Sequence, residues 1–520
     1  MNSAQLWRAT GLIALANGAA LGLQFFTTIL IARAFGTSAQ MDAYALAVSI
    51  PESFQYLLLL ATLSVLFTPL WIDLRARRGD AEAWSMALSL LLCVTAGVIL
   101  LLPILVWLMP QLISLLAPGF PPATRALAVE LSDLILPGLI YYATAGILLG
   151  ICYAHHDFRI AALNTFLLAA LNLAAFFIFV QWLGGGVRGL MVGRLCALAG
   201  VEIFLLWGAL RHARGVKWRV HLFHPEFRVV LKFMPPYIFG AFSGQLALII
   251  NRAFVSTLGT GSVAAWGYGQ RLADIPLAIL GAAFGATFLP DFSAQIATNE
   301  RDAASTSWNR AVVRTSLTLA PIAALLIPLA VPLITVLFQR GSFDANSTQA
   351  SALVLMGLAV GLPLRGVAGL VVRGMPAFKT RALPIVLSAL STLTNLVLDF
   401  AFIGAFGLFG IALAASIGDA MFAAVGTIVF WRWLKTLTDS TRITLAKICG
   451  AALLAGGGAF FAQRLLETYS PLAQLLLGAA FGAAIFLLLA IALDLGETRA
   501  FLQFVQQRVM SPRLRMKKSS

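Results

Sequence analysis

The chain has 520 residues, of which 60% are hydrophobic and only 11% are charged, and its mean hydropathy is +0.90. A soluble globular domain carries about a quarter charged residues, so this composition excludes a soluble protein and predicts a polytopic membrane protein. The apolar runs are long and continuous, which excludes a strand barrel and leaves α-helices as the spanning elements of an all-α fold.

The net charge of +15 is the second constraint. In a soluble protein such a charge suggests nucleic acid, but in a membrane chain it follows from Lys and Arg residues that keep short loops on the cytoplasmic side. With the N-terminus inside, 27 of the 36 basic residues fall at the N-terminus, in cytoplasmic loops or in the C-terminal tail. We therefore expect no nucleic-acid partner and both termini in the cytoplasm.

Fourteen apolar stretches are long enough to cross a bilayer as helices, which requires about 20 residues each. The basic stretch 496–520 follows the last of them and is expected to be a cytoplasmic tail, solvated or bound at the lipid surface. The predicted spans are residues 9–35, 42–72, 84–110, 128–154, 160–182, 189–210, 229–256, 262–290, 310–338, 350–373, 382–404, 409–431, 444–464 and 472–494.

The first twelve spans contain a six-span repeat, marked by four short matches at offsets of 219, 221, 223 and 221 residues. Because the number of spans between the copies is even, the copies share one orientation and predict two six-helix parallel-repeat lobes around a central cavity. A repeat that serves only packing is the alternative. The N-lobe is predicted at 1–218, the C-lobe at 219–440 and two extra C-terminal helices within 441–495. The matches are Arg33–Phe35 with Arg252–Phe254, Phe67–Pro69 with Phe288–Pro290, Asn172–Leu173 with Asn395–Leu396, and Gly189–Leu190 with Gly410–Ile411.

Signatures of catalysis are scarce along the chain. All five histidines fall in predicted cytoplasmic loops, where the adjacent pair His155 and His156 is expected to be solvated. The four cysteines lie in apolar runs without metal-ligand spacing, and the sequence contains no nucleotide-binding motif. We therefore predict a transporter without a cofactor, driven by an ion gradient or the membrane potential, and not an enzyme.

The most informative stretch, residues 266–291, is long enough to cross a bilayer yet carries Arg271 and Asp274. A charge in hydrocarbon costs a few kcal/mol, so such residues usually face a cavity or a partner. At i and i+3 the two can share one helix face and neutralise each other. In the alternative, Arg271 binds an anionic substrate group, because a guanidinium suits phosphate oxygens.

Further charged residues lie in or beside predicted spans. Arg365 in span 10 is a second candidate for binding an anion, and Arg194 in span 6 is a third, although it can instead pair with Glu202. Two acidic residues flank the start of span 2. Asp42 is expected at the interface in a structural role, and Glu52 is expected to enter the cavity.

Span 11 carries a candidate cation site. Asn395 and Asp399 are spaced i and i+4, which places both on one helix face. With oxygen ligands from span 12, such as Ser416 or Asp419, they can hold a sodium ion or a proton. A buried carboxylate is costly unless it is paired or protonated. An interhelical hydrogen-bond network is the alternative.

Short motifs spread over the chain indicate its family. They are Ala32–Gly36, Met41–Tyr44, Pro51 and Phe67–Pro69 in the first copy of the repeat, and Gln270–Leu272, Pro276, Leu280–Gly281, Phe288–Pro290 and Leu337–Phe343 in the second. Together they resemble the MurJ (MviN) lipid II flippases, within the superfamily of multidrug, oligosaccharidyl-lipid and polysaccharide exporters. The resemblance covers most of the chain, including the two spans beyond the repeat.

The resemblance implies transfer of an undecaprenyl-pyrophosphate-linked saccharide across the cytoplasmic membrane by alternating access. Cationic side chains of a central cavity would bind the pyrophosphate. Arg271 falls on the family's cavity arginine of span 8, and Asp42 on its aspartate before span 2. Asn395 and Asp399 match an Asn-x-x-x-Asp that binds sodium in some members, although span 7 lacks the acidic partner.

This chain departs from the family in its first two spans. The positions of further cavity arginines are occupied by Leu21, Thr27 and Gln55, and that of a later acidic residue by Leu60. The N-lobe part of an anion site is therefore much less cationic, unless Arg365 or Arg194 compensates. The expected substrate-binding residues are Arg271, Asp274, Arg365, Glu52, Gln55 and Asp42.

The leading hypothesis is a flippase in the bacterial inner membrane that carries lipid II for peptidoglycan synthesis or an exopolysaccharide repeat unit. Its expected partners are a lipid-linked oligosaccharide, membrane lipids and proteins of cell-wall or polysaccharide synthesis. One alternative is a multidrug or metabolite antiporter coupled to a cation, whose cavity would be acidic. Another is a non-transporting scaffold of an envelope-assembly complex.

Overall fold

The computed structural model describes residues 3–62, 67–213, 215–216, 245–378, 382–434 and 438–495, and all regular elements in these ranges are helical. Short 3₁₀ turns follow several helices, and a π-helical stretch, Phe176–Trp182, extends one of them. The α-helices are α1 (Ser3–Phe35), α2 (Ala39–Thr62), α3 (Phe67–Arg78), α4 (Asp80–Leu116), α5 (Pro122–Ile135), α6 (Leu139–Ala154), α7 (Phe158–Ala175), α8 (Gly186–Leu210), α9 (Gln245–Ser256), α10 (Ser262–Ala297), α11 (Arg301–Phe338), α12 (Ala345–Gly374), α13 (Ala382–Leu434), α14 (Asp439–Leu465) and α15 (Pro471–Ala492).

Among the described residues, ten helical stretches are long and apolar enough to cross a membrane. One of them, Leu383–Leu434, contains two predicted spans, so the ten stretches account for eleven of the fourteen. Predicted span 2 falls on α2 and α3, and span 8 on α10, which are helical but not among the ten. Span 7 lies largely outside the described residues. The chain is thus a multi-pass helical membrane protein, while the number fourteen stays a prediction.

Helix α13 is a hairpin of two spans rather than one long rod. Gly407 has a left-handed φ of 53°, which interrupts the helix between the two predicted spans and which glycine adopts without steric cost. On either side of it the arms lie against each other, since the Ser391 hydroxyl donates to the Gly418 carbonyl at 2.8 Å. The predicted division between spans 11 and 12 is therefore confirmed.

The chain folds as two compact units. The first unit comprises Met1–Ala264 with Arg340–Asp344, and the second comprises Ala265–Gln339 with Ala345–Ser520. The predicted lobe boundary at 218/219 lies outside the described residues. The two lobes around a cavity accordingly stay a proposal.

In the first unit, α2 packs against α5 and α6, α7 packs against α1 and α8, and the short α3 lies against α4 and α6. Trp71 of α3 and Trp84 of α4 are almost completely buried and meet edge to face, with ring centroids 5.3 Å apart. Such aromatic pairs contribute about 0.5–1.5 kcal/mol beyond the area that they bury. This pair fixes the turn between the two helices.

In the second unit, α11 packs against α12, α14 and α15, and α12 packs against α13. An aromatic cluster closes one end of this bundle. Trp308 of α11 stacks on Phe430 of α13 with ring centroids 4.3 Å apart, and Phe292 of α10 contacts both rings. These side chains join three helices that are far apart in sequence.

The sequence repeat has a counterpart in the packing inside each unit. A Cβ at Gly189 would lie 2.5 Å from the Phe179 carbonyl oxygen, and a Cβ at Gly410 would lie 2.7 Å from the Phe402 carbonyl oxygen. The repeat aligns these two glycines with each other. In both places the absent side chain lets a helix approach the backbone of the preceding span.

We expect Gly410→Ala to lower the free energy of unfolding by about 1–3 kcal/mol, because the new methyl group would overlap the Phe402 carbonyl and force the hairpin arms apart. The measurement is thermal unfolding of the purified protein in detergent. Gly404→Ala on the same hairpin is the matched control, since no atom lies within 4 Å of its added Cβ. Equal stability of the two variants would contradict the close approach.

Candidate functional site

The strongest charged cluster of the second unit joins three helices. Arg365 of α12 lies 3.1 Å from a carboxylate oxygen of Asp274 on α10 and 3.0 Å from one of Asp419 on α13. The arginine side chain is 21% exposed and the two carboxylates are 44% and 40% exposed. One guanidinium is therefore shared by two carboxylates, so the formal charge of the cluster is −1.

Arg271 lies one helical turn before Asp274 on α10. The cation that the structure places at salt-bridge distance from Asp274 is Arg365, which takes the role that the spacing offered to Arg271. The Arg271 side chain is exposed, whereas the next two residues, Leu272 and Ala273, are buried. Burial of these neighbours anchors the helix while the guanidinium stays accessible.

The first unit contains a comparable ion pair. Arg194 of α8 donates to Glu52 of α2 at 2.7 Å, and it also hydrogen-bonds the hydroxyls of the buried residues Tyr44 and Tyr142. Arg194 is therefore held by Glu52 and not by Glu202, the partner that the sequence left open. Gln55 lies one turn after Glu52 on α2, and its side chain is outside the described part of the structure.

Asp42 caps the start of α10 across the first unit. Its carboxylate accepts the backbone N–H groups of Gly261 and, at 2.8 Å, of Ala264, and the residue is only 1% exposed. Free N–H groups at a helix start are a preferred partner for a carboxylate. Gly261 has φ 89°, and a Cβ there would meet the Thr37 carbonyl at 2.2 Å, so only glycine fits beside this cap.

Asn395 and Asp399 come together as their spacing predicts. Both are buried, and the Asn395 amide nitrogen lies 3.5 Å from Asp399 Oδ1. The oxygens Asn395 Oδ1 and Asp399 Oδ2 are buried with no hydrogen-bond donor. Ser416 donates its hydroxyl hydrogen to the Gly357 carbonyl instead, at 2.8 Å.

These contacts limit what the pair can bind. Two buried acceptor oxygens without donors suit a cation or a proton. Of the span 12 residues considered as ligands, Asp419 is engaged with Arg365. Searching the described residues for three or more His, Cys, Asp or Glu side chains that could hold a metal gives none. The donor set for sodium is therefore small, whereas a proton needs only Asp399.

The histidines form a packed cluster at the ends of α6 and α8. His155 stacks on His212 with ring centroids 4.5 Å apart, and His212 Nε2 lies 3.3 Å from the carboxylate of Asp157, which also pairs with Arg211. Burial lowers the pKa of His155 below its usual value. Of the pair expected to be solvated, His156 is exposed while His155 is half-buried.

Two functional contacts could not be assigned from the sequence. Asp419 was grouped with the span 11 pair, yet it binds Arg365. Asp42 was placed at an interface, yet its partners are backbone N–H groups more than 200 residues away. One signal was available: Glu52 and Asp274 are 222 residues apart, the offset of the repeat, and each is the acidic partner of an arginine.

Comparison with known proteins gives consistent results. The family model described as "Lipid II flippase MurJ" matches residues 31–480. A probable lipid II flippase MurJ of Rhizobium meliloti (strain 1021) is 27% identical over 469 residues, which is 84% of each chain. The lipid II flippase MurJ of Burkholderia cenocepacia is 31% identical over 354 residues, covering 64% of this chain and 66% of the relative.

Solved structures show the same fold. A lipid II flippase MurJ in an inward closed conformation superposes with a TM-score of 0.76 at 20% identity, covering 92% of this chain and 98% of that chain. An inward-facing multidrug resistance transporter of the MATE family superposes with a TM-score of 0.68 at 18% identity, covering 80% and 94%. At such identities these likenesses establish the fold alone.

The family match covers most of the chain and confirms the resemblance found in the short motifs. A flippase moves its cargo without chemical conversion, so the prediction of a transporter rather than an enzyme is confirmed as well. The chain belongs to the MurJ family of lipid II flippases.

Proposed function

We propose that this protein transports lipid II across the cytoplasmic membrane by alternating access between two conformations. The observation that carries the proposal is the family match over residues 31–480. The relatives named above, over most of whose length this chain aligns, support the same cargo. The helical membrane fold without a nucleotide motif fits a carrier that uses an ion gradient or the membrane potential.

An exopolysaccharide unit on the same lipid carrier is the second candidate cargo. The observation that favours it is the low charge of α1. Leu21 is half-exposed, and Thr27 is buried with its hydroxyl donating to the Leu23 carbonyl at 2.8 Å, at positions where lipid II flippases of the family have arginines. A pyrophosphate would therefore find few cations on this helix.

Arg271 is the residue that we assign to the pyrophosphate. Arg365 is shared by Asp274 and Asp419, and Arg194 is paired with Glu52, so neither has a net positive charge to offer an anion. The exposed Arg271 guanidinium can form two parallel hydrogen bonds with phosphate oxygens. In this proposal Asp274 and Glu52 act on the cargo only by holding the two paired arginines.

Two other predicted substrate-binding residues take different parts in the proposal. Gln55 is a polar contact for the sugar on α2. Asp42 has both carboxylate oxygens engaged by backbone N–H groups, which leaves it no group for the cargo. We assign Asp42 to the conformational cycle, in which its cap at the start of α10 holds one conformation until the cap is released.

Arg271→Ala should reduce transport by about 100-fold or more, because one charge-assisted bidentate contact to phosphate is lost in a site with few other cations. The measurement is movement of fluorescent lipid II in proteoliposomes, with membrane insertion checked separately. Arg464→Ala is the control, since Arg464 is exposed and pairs only locally with Glu467. A fully active Arg271→Ala protein would refute the anion site, and it is also the result expected of a scaffold that transports nothing.

Depletion of the protein in its host should accumulate the cargo on the inner leaflet, because synthesis continues while export stops. Mass spectrometry of the accumulated lipid identifies its headgroup. A peptide-bearing disaccharide supports lipid II, and a repeat unit without peptide supports the second candidate. Absence of any accumulated lipid-linked saccharide would favour the alternative of a drug or metabolite antiporter.

Asp399 is proposed to couple transport to sodium or to protons through its unpartnered oxygen. Asp399→Asn should therefore remove the dependence of transport on the coupling cation, while the protein still inserts. Transport is to be measured in sodium-free buffer and across imposed proton gradients. Asp439→Asn is the control, because that carboxylate is 93% exposed at the start of α14. An unchanged cation response in the Asp399 variant would remove the coupling proposal.

A further inference from the structure

A second buried carboxyl group lies in the first unit, away from the residues assigned above. Glu202 belongs to α8, eight residues before its end at Leu210, which places it ~12 Å from that end along the helix. The bilayer hydrocarbon is about 30 Å thick, so this depth is near its middle. A carboxyl group there needs a partner or a proton.

The contacts of Glu202 allow its hydrogens to be counted. The Thr144 hydroxyl oxygen of α6 lies 2.7 Å from the Ile140 carbonyl oxygen and 2.7 Å from Glu202 Oε1. Two hydrogen bonds require two hydrogens, and a hydroxyl group supplies one. A carbonyl has none to give. The second hydrogen must come from Glu202, which therefore donates to Thr144 while Thr144 donates to Ile140.

The other oxygen of Glu202 supports the same conclusion. Glu202 Oε2 is buried and has no hydrogen-bond donor. A carboxylate ion in this position would carry an unsolvated negative charge, whereas a neutral carboxylic acid leaves only a carbonyl-like oxygen unsatisfied.

The neighbouring groups do not supply a counter-charge. Arg194, on the same helix, is 2.7 Å from Glu52. Tyr141 of α6 is the titratable group near Glu202, and its hydroxyl bonds with Asn164 of α7. Within the described ranges, no Lys, Arg or His side chain is at salt-bridge distance from Glu202.

From this geometry we propose that Glu202 is a proton-binding site of the first unit, and that its proton is required for the conformation described above. The ligand is a proton, and Thr144 is the positioning residue that accepts it. This site is separate from the Asn395–Asp399 pair, which lies in the other unit. Resting on the proposed transport function, it follows that transport depends on pH through Glu202.

Infrared difference spectroscopy of the full-length protein in lipid tests the site itself. Subtracting the spectrum of Glu202→Gln from that of the natural protein at neutral pH should reveal a carboxylic-acid carbonyl band. Glu467→Gln is the control and should reveal carboxylate bands, because Glu467 is exposed and paired with Arg464. Carboxylate bands in the Glu202 difference, with no carboxylic-acid band, would overturn the proposal.

A second variant keeps the test independent of how well Glu202→Gln folds. Thr144→Val has nearly the same shape but cannot accept a hydrogen bond, so the carboxylic-acid band should move to higher frequency. A carboxylic-acid region that is identical with and without the Thr144 hydroxyl would contradict the assignment. Neither infrared measurement depends on which cargo the protein carries.

Transport measurements test the functional consequence. In proteoliposomes, the natural protein should lose about tenfold or more of its rate when alkaline pH removes the Glu202 proton, because an uncompensated charge then lies in the membrane. Glu202→Gln mimics the protonated side chain and should keep its rate over the same pH range. An equal loss in both proteins would exclude Glu202 as the cause. Failure of the transport proposal would appear instead as absence of lipid II movement at every pH.

Discussion

Sharing of one guanidinium between two carboxylates is the interaction on which the second unit depends. Arg365 joins α10, α12 and α13, and removing one partner of a buried ion pair typically costs about 3–5 kcal/mol because the other charge is left uncompensated. Arg194 and Glu52 do the same for α8 and α2 in the first unit. The arginines available to tie helices together are thus the same ones that the sequence offered as anion ligands.

This double demand on arginine restricts how the protein can recognise an anionic cargo. Leu21 and Thr27 leave α1 without cations at these positions, and the paired arginines have no net charge to spare, so Arg271 carries the proposed contact. The same economy of charge extends to acidic residues. Glu202 and Asp399 are buried without a cation, and a proton neutralises such groups at least cost.

The sequence predicted much of the fold because the signals are local. Apolar length identified the spans, and the repeat offset paired Gly189 with Gly410, which make the same close backbone approach in their units. The i,i+4 spacing placed Asn395 beside Asp399. The partners of Asp274 and Asp42 were not predicted, because side-chain pairing between helices depends on their rotation and depth, which hydropathy does not report.

The sequence by itself determined the membrane class, the helical architecture, the repeat and the family, since each follows from composition, periodicity or short motifs. Only the tertiary structure decided which charges are neutralised. Arg365 chose Asp274 and Asp419, Arg194 chose Glu52, and Glu202 was left to Thr144. The physical reason is that an ion pair forms within about 4 Å, and contacts of that range between distant segments exist only after the helices have packed.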